Sequence, residues 1–288
     1  MSFPAPSAQT MALITGASSG IGRELARLLA RRGYSLVLVA RRVERLESLA
    51  AELADAHGTK VSCLPADLTD PGQRERLVAE VHELGLTVDV LVNCAGFGIY
   101  TPFVTSERER ELEQIHLLVE AVVDLNSRFI PPMLERGCGA VINVASTAGF
   151  QPLPGNGTYS ASKAFLLAHS EALGEELRGT GVSVTAICPG PVPTEFFEVS
   201  KPLVVHRIPH LFWCSPSRVA LDGLRAAERG KPSVVPGSLA VRLFYNPYRI
   251  APRWIARPVA RWLMVGELHR MRDAGEFEQQ ESELVINR

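Results

Sequence analysis

No run of eighteen apolar residues occurs in the 288-residue chain, so a membrane-spanning helix is not expected. An excess of charge of one sign is missing too. The 30 lysines and arginines stand against 31 aspartates and glutamates, a formal net charge of −1, which gives no overall attraction to nucleic acid or anionic lipid. Cysteine is scarce: Cys63, Cys94, Cys138, Cys188 and Cys214 are odd in number and show no metal-type spacing. Cys63, Cys94 and Cys188 fall in or beside apolar runs and read as small hydrophobes. The set therefore reads as free thiols in a reducing, cytoplasmic compartment. The nearest thing to a metal pair is His206 and His210, and Pro209 between them argues against a helix that would align them. No metal site is expected. The opening stretch MSFPAPSAQT lacks the basic and apolar regions of a signal peptide and reads as a loose arm over residues 1–10. Internal repeats and low-complexity segments are lacking as well.

What is there is an alternation. Apolar residues make up 46% and charged residues 21%, ordinary for a globular chain with a sizeable core. Short β-rich runs lie at 11–15, 35–40, 60–66, 88–95, 140–146, 182–188 and 232–236. Helical patterns lie between them, near 20–32, 43–57, 71–85, 106–136, 158–179 and 216–229. Nearly continuous apolar strands imply a sheet buried on both faces. The βαβ order implies parallel strands with right-handed crossovers. The expected fold is α/β: a doubly wound sheet of about seven parallel strands, with ligands beyond their carboxyl ends. It forms one domain over residues 11–236, followed by an extension over 237–288 that carries helical pieces.

The first run leads straight into TGASSGIG, residues 15–22. Glycine permits the tight turn and close approach that a phosphate needs, and the next helix offers free N–H groups and a positive dipole end. The spacing is G-x-x-x-G-x-G rather than the commoner G-x-G-x-x-G. The second run ends in ARR. An acidic residue there would hold a ribose 2′-hydroxyl, whereas Arg41 and Arg42 suit a 2′-phosphate and favour NADP over NAD. The alternative is a solvated start to the second helix. Further on, Tyr159 and Lys163 stand one helical turn apart. A free phenol has a pKa of about 10, and a neighbouring ammonium is expected to lower it. Tyr159 could then exchange a proton with a carbonyl oxygen, and Ser146, at the end of a strand run, could hold the same oxygen. A Tyr/Lys pair on a solvated helix face is the competing reading.

These pieces resemble the short-chain dehydrogenases/reductases. TGASSGIG (15–22), NCAG (93–96), Ser146, YSASK (159–163) and PGPVPTEF (189–196) occur in family order over about residues 11–236. The run INVASTAGFQPLPGNGTYSASKAF is similar to a bacterial branch of NADP-dependent reductases. The resemblance implies a Rossmann fold and a role for each matching position. Gly16, Ser18, Ser19, Gly20 and Ile21 would line the pyrophosphate and ribose, Arg41 would meet the 2′-phosphate, and Asp67 the adenine. Asn93, Ala95 and Gly96 would pass beside the adenine ribose and fix the central strands. Tyr159 would be the acid–base residue, Lys163 its tuner and ribose ligand, and Ser146 the substrate-oxygen partner. Pro189, Gly190, Val192 and Thr194 would hold the nicotinamide end. One position departs. The family usually carries an asparagine in the long helix after the fourth strand, whose carbonyl holds a water that links the lysine to solvent and whose side chain stabilises a kink. Leu118 stands there; Asn126 lies two turns on and does not fit, and His116 points elsewhere on an ideal helix.

Two regions escape the alternation. Residues 195–215 are strongly apolar and suit a cover for a hydrophobic carbonyl or alcohol substrate; a packed surface loop or an oligomer contact is the competing reading. In the extension, Arg249, Arg253, Arg257 and Arg261 recur every four residues among Trp254 and Trp262. That pattern fits a membrane-surface segment over 238–272, or a segment packed over the pocket or a partner subunit. The acidic tail beyond reads as frayed. The expected activity is NADP-dependent hydride transfer between nicotinamide and a carbonyl/alcohol pair, in a homo-oligomer (dimer or tetramer) that binds no nucleic acid. The rival is a non-catalytic NADP-binding sensor or scaffold, with Leu118 as its support.

Overall fold

The computed structural model describes residues 3–6, 10–200, 208–258 and 260–261. His206, the middle of the apolar 195–215 region and residues 262–288, with Trp262 and the acidic tail, lie outside the described residues.

The strands are β1 (Met11–Thr15), β2 (Ser35–Ala40), β3 (Val61–Pro65), β4 (Val88–Asn93), β5 (Gly139–Val144), β6 (Val182–Ile187) and β7 (Ser233–Val234). They form a parallel sheet in the order β3-β2-β1-β4-β5-β6-β7. The helices are α1 (Gly20–Arg31), α2 (Val43–His57), α3 (Pro71–Glu83), α4 (Arg108–Ile115), α5 (Ala121–Arg136), α6 (Gly157–Glu176), α7 (Glu195–Ser200), α8 (Pro216–Glu228) and α9 (Leu239–Ile250).

Strand side chains alternate between faces, and each face carries its own core. Ile14, Leu36 and Leu38 pack with Leu25 and Leu29 of α1, Leu46 of α2 and Leu224 of α8. Leu13, Val37 and Val39 pack with Leu77 of α3 and with Leu125, Phe129 and Met133 of α5. Each large side chain buried in this way contributes about 1.5–3 kcal/mol. The order of strands reverses between β1 and β4, so a crevice opens beyond their carboxyl ends.

Three strands end two residues earlier than the sequence implies. β4 stops at Asn93 and β5 at Val144, because the chain then turns to build the crevice. Strand β7 shrinks to two residues, since Pro232 and Pro236 flank it and lack the N–H that pairing requires. The long helix expected over 106–136 is α4 and α5 joined through a π-helical turn at His116–Glu120.

Candidate active site

Gly16, Ser18, Ser19, Gly20, Ile21, Arg41, Asp67, Ala95, Gly96, Ser146, Tyr159, Lys163, Pro189, Gly190, Val192 and Thr194 all line one cleft of about 1230 Å³. Asn93 is not among the lining residues. It is buried beneath them, where its amide donates to Asn126 at 2.9 Å and to Asn143 at 2.8 Å and ties β4 to β5 and α5.

The glycine turn is as tight as its sequence implies. Gly16 has φ +67°, and a Cβ there would stand 2.8 Å from the Ala95 backbone. At Gly22 a Cβ would stand 2.4 Å from the Gly16 carbonyl oxygen, so any side chain would push α1 off the turn. The Ser19 N-cap makes no side-chain hydrogen bond, which leaves its hydroxyl and the first turn of α1 facing the cleft. Arg41 is well exposed and lies 3.7 Å from Asp67. Arg42 is drawn inward: its guanidinium donates to Ser18 Oγ at 3.0 Å and to Glu195 at 2.9 Å. Paired arginines beside an open helix N-terminus, under a turn with no room for side chains, fit a 2′-phosphorylated dinucleotide.

At the other end, α6 starts at Gly157 and presents Tyr159 and Lys163 on one face, both buried. The Lys163 Nζ lies 5.7 Å from the Tyr159 ring centroid and donates to the Val144 carbonyl at 2.7 Å. Ser146 caps the short 3₁₀ turn Thr147–Phe150, accepting from the Ala148 N–H at 3.1 Å. The expected lowering of the Tyr159 pKa by Lys163 is not what the structure gives. Burial pushes the phenol above its usual range, the Tyr100 phenol adds to this, and a hydrogen bond with Ser146 pulls only partly back. Burial also acts on the lysine, whose pKa falls to about 8. Desolvation of two groups that lack a carboxylate partner outweighs the field between them.

Leu118 sits within the π-helical turn and is buried against Gly96; a Cβ on that glycine would stand 2.9 Å from the leucine and 3.9 Å from Lys163 Nζ. The helix thus takes a π-helical turn here without the family's asparagine. Ion pairs flank the turn on the outer side of the helix. His116 pairs with Glu120 at 2.6 Å, and the buried Arg74 of α3 spans Glu120 and Asp124 while donating to the Leu68 carbonyl at 2.8 Å. Asn126 makes no contact with the site; it holds Asn93 and approaches His169.

The apolar wall comes from both irregular regions. Phe196 lies 5.5 Å from the Tyr159 ring, and Phe197, Ile208 and Phe212 line the cleft beyond it. Helix α9 adds Phe244, Tyr245 and Tyr248. Tyr245 packs so closely on Gly190 that a Cβ there would stand 2.9 Å from its ring, and Phe212 stacks on Phe244 at 4.2 Å. These α9 residues, with Glu195 and Arg45 beside Arg42, were not singled out from the sequence as site residues. The spacing of Phe244, Tyr245 and Tyr248 along one helix face was the signal for the first three.

The model of the short chain dehydrogenase family matches residues 10–202. Over 196 residues, 68% of this chain, the sequence is 40% identical to glycine betaine reductase ATRR of Emericella nidulans, of which it covers 15%. Over 197 residues, 67% of the chain, it is 36% identical to very-long-chain 3-oxoacyl-CoA reductase of Phaeosphaeria nodorum, of which it covers 58%. The chain thus spans less than two thirds of the length of either relative. Among solved structures it resembles a short-chain dehydrogenase from Sphingobium yanoikuyae in complex with NADPH, with a TM-score of 0.74 and 34% identity over 82% of this chain and 91% of that one. With the glycine turn, the Ser146, Tyr159 and Lys163 cluster and the Pro189–Gly190 corner converging on one cleft, the chain belongs to the short-chain dehydrogenase/reductase family.

Proposed function

We propose that the protein is an NADP-dependent oxidoreductase acting on a hydrophobic carbonyl/alcohol pair. The observation that carries this is the single cleft joining the paired arginines and glycine turn to Ser146, Tyr159 and Lys163. The turn, Arg41, Arg42 and Asp67 would hold the adenosine half, and Lys163, Pro189, Gly190, Val192 and Thr194 the nicotinamide half. The nicotinamide supplies or accepts the hydride. Ser146 Oγ holds the substrate oxygen, and the protonated Tyr159 hydroxyl donates to it in reduction. Lys163 keeps positive charge beside the phenol as the proton leaves. Aromatic walls from α7, the 195–215 region and α9 exclude water and favour an apolar substrate. The relative that reduces very-long-chain 3-oxoacyl-CoA makes acyl carbonyls a sensible first class to try. NADPH oxidation should proceed with hydrophobic ketones, aldehydes or 3-oxoacyl thioesters and run at least tenfold faster than NADH oxidation, the worth of about 1.4 kcal/mol at the arginines. Equal rates with the two cofactors would refute the arginine argument. Retention of NADPH binding without turnover of any carbonyl would favour the sensor reading.

A second reading concerns α9. Leu239, Leu243 and Ile250 are 71%, 66% and 86% exposed and share one helix face, opposite the buried Val241 and Tyr245. Arg253 and Arg257 are exposed beside them, while Arg242 and Arg249 pair inward with Asp222 and Glu171. Such a face suits the surface of an anionic bilayer, beside the cleft that an apolar substrate would enter. The full chain should co-sediment with vesicles containing phosphatidylglycerol, and the Leu243→Glu/Ile250→Glu variant should stay in solution. Equal partition of the two would remove this reading. Five unpaired thiols fit a reducing, cytoplasmic setting, and exposed Ile115, Val123 and Phe165 on α4, α5 and α6 support a homo-oligomer.

A further inference from the structure

Two guanidinium groups at the adenosine end converge on one carboxylate. Arg42, the N-cap of α2, lies 2.9 Å from Glu195, and Arg45, three residues on, pairs with the other oxygen of the same carboxylate. The three side chains are 44%, 47% and 32% exposed, so the cluster sits at the rim of the cleft, open to a ligand. Burial alone would raise the Glu195 pKa, but Arg45 and Arg42 outweigh it and keep the carboxylate ionised through the neutral range.

The next residue in the chain is Phe196. Its ring lies 5.5 Å from the ring of Tyr159 and so close over Gly98 that a Cβ there would come within 2.7 Å of it. Adjacent residues in the first turn of α7 thus touch both ends of the cleft. Glu195 holds the basic groups of the adenosine end, and Phe196 covers the phenol. The turn is closed by the Phe197 N–H donating to the Thr194 carbonyl at 3.0 Å, so a shift of this backbone turn would move both side chains together.

We propose that Glu195 is a cofactor-specificity residue: it competes with a nucleotide 2′-phosphate for Arg42 and Arg45, and its displacement draws Phe196 away from Tyr159. A phosphate monoester carries about −1.5 to −2 charge and accepts from several donors at once, so it outcompetes a carboxylate for paired guanidinium groups. A bare 2′-hydroxyl cannot, and leaves Glu195 and Phe196 in place. Discrimination between NADP and NAD then lies in access to Tyr159 as well as in affinity. This rests on the NADP reading above.

The test uses the full chain and nucleotides that lack a nicotinamide. Binding of 2′,5′-ADP and 5′-ADP is measured by calorimetry for the wild type and Glu195→Gln, with amide hydrogen exchange followed over residues 195–200. Glu195→Gln should bind 2′,5′-ADP roughly three- to tenfold more tightly, the worth of one or two half-exposed ion pairs, and 5′-ADP equally well. In the wild type, 2′,5′-ADP should speed exchange over 195–200 and 5′-ADP should not; in the variant, exchange should be fast without nucleotide. Weaker 2′,5′-ADP binding by the variant would mean that Glu195 orients the arginines, and unchanged binding that it is a bystander; either overturns the proposal. Tighter binding with unaltered exchange would overturn the link to Phe196. Wild-type protein that binds 5′-ADP as tightly as 2′,5′-ADP would instead overturn the NADP reading itself.

Discussion

Tyr159→Phe is expected to lower kcat for carbonyl reduction by about 10²–10⁴-fold, the usual worth of a positioned general acid, while NADPH affinity stays unchanged. The phenol is buried, and burial holds it above its usual range, so at neutral pH it carries the proton it must donate. Phenylalanine keeps the ring that packs near Phe196 and removes only the hydroxyl. Kinetics with the best carbonyl of the panel, together with an NADPH fluorescence titration, separate the two effects. Full activity in the variant would move the proton to another group, with Tyr100 the first to examine because it lines the same cleft. The pH profile adds a second check. The Lys163 pKa is lowered to about 8, so its ammonium is present below that pH and lost above it. If that charge supports proton donation, kcat/KM for reduction should hold up to about pH 8 and fall beyond it. A profile that stays flat to pH 10 would show that the charge on Lys163 is dispensable.

The parallel doubly wound sheet, the glycine turn and the Ser146, Tyr159 and Lys163 cluster were legible in the sequence for a common reason. Each depends on local pattern: apolar runs of strand length, glycines at fixed spacing, a pair one helical turn apart. The parts that escaped depend on contacts between distant segments. Arg42 outranks Arg41 at the glycine turn because Ser18 and Glu195 draw it in, and no spacing encodes a partner 153 residues away. The π-helical turn that carries Leu118 is flanked by ion pairs from Arg74, on a different helix, to Glu120 and Asp124. Helix α9 carries an outward apolar face and an inward aromatic one; the arginine and tryptophan pattern pointed to a membrane surface, with packing over the pocket as the alternative, and did not single out the aromatic face that walls the cleft. The expected effect of Lys163 on Tyr159 was misjudged through burial, which a sequence does not display and which here dominates both groups.

The same burial makes Lys163→Met a stabilising change. The ordinary lysine value of 10.5 and the buried value of about 8 differ by an amount worth roughly 3 kcal/mol. Removing the ammonium also strands the Val144 carbonyl, which accepts from Nζ at 2.7 Å, at a cost of about 1 kcal/mol. Methionine has nearly the same shape, so the net expectation at pH 7 is about 2 kcal/mol of added stability in a protein that has lost turnover. The pH dependence has a definite sign. Because the folded-state pKa is depressed, the unfolded chain binds the extra proton between about pH 8 and 10.5, and wild-type stability rises with pH across that window. Below pH 8 the full cost of the buried charge is present in the wild type. The advantage of the variant should therefore be greatest at pH 7, shrink through the window and vanish or reverse above it. Urea unfolding of both proteins at pH 7 and above pH 10 measures this directly. A wild type as stable as the variant at pH 7 would mean that Lys163 bears no desolvation cost there, and the fall in kcat/KM near pH 8 would then need another origin. If both experiments locate the transition near pH 8, one ionisation accounts for the stability sacrificed at the site and for the alkaline limit of its chemistry.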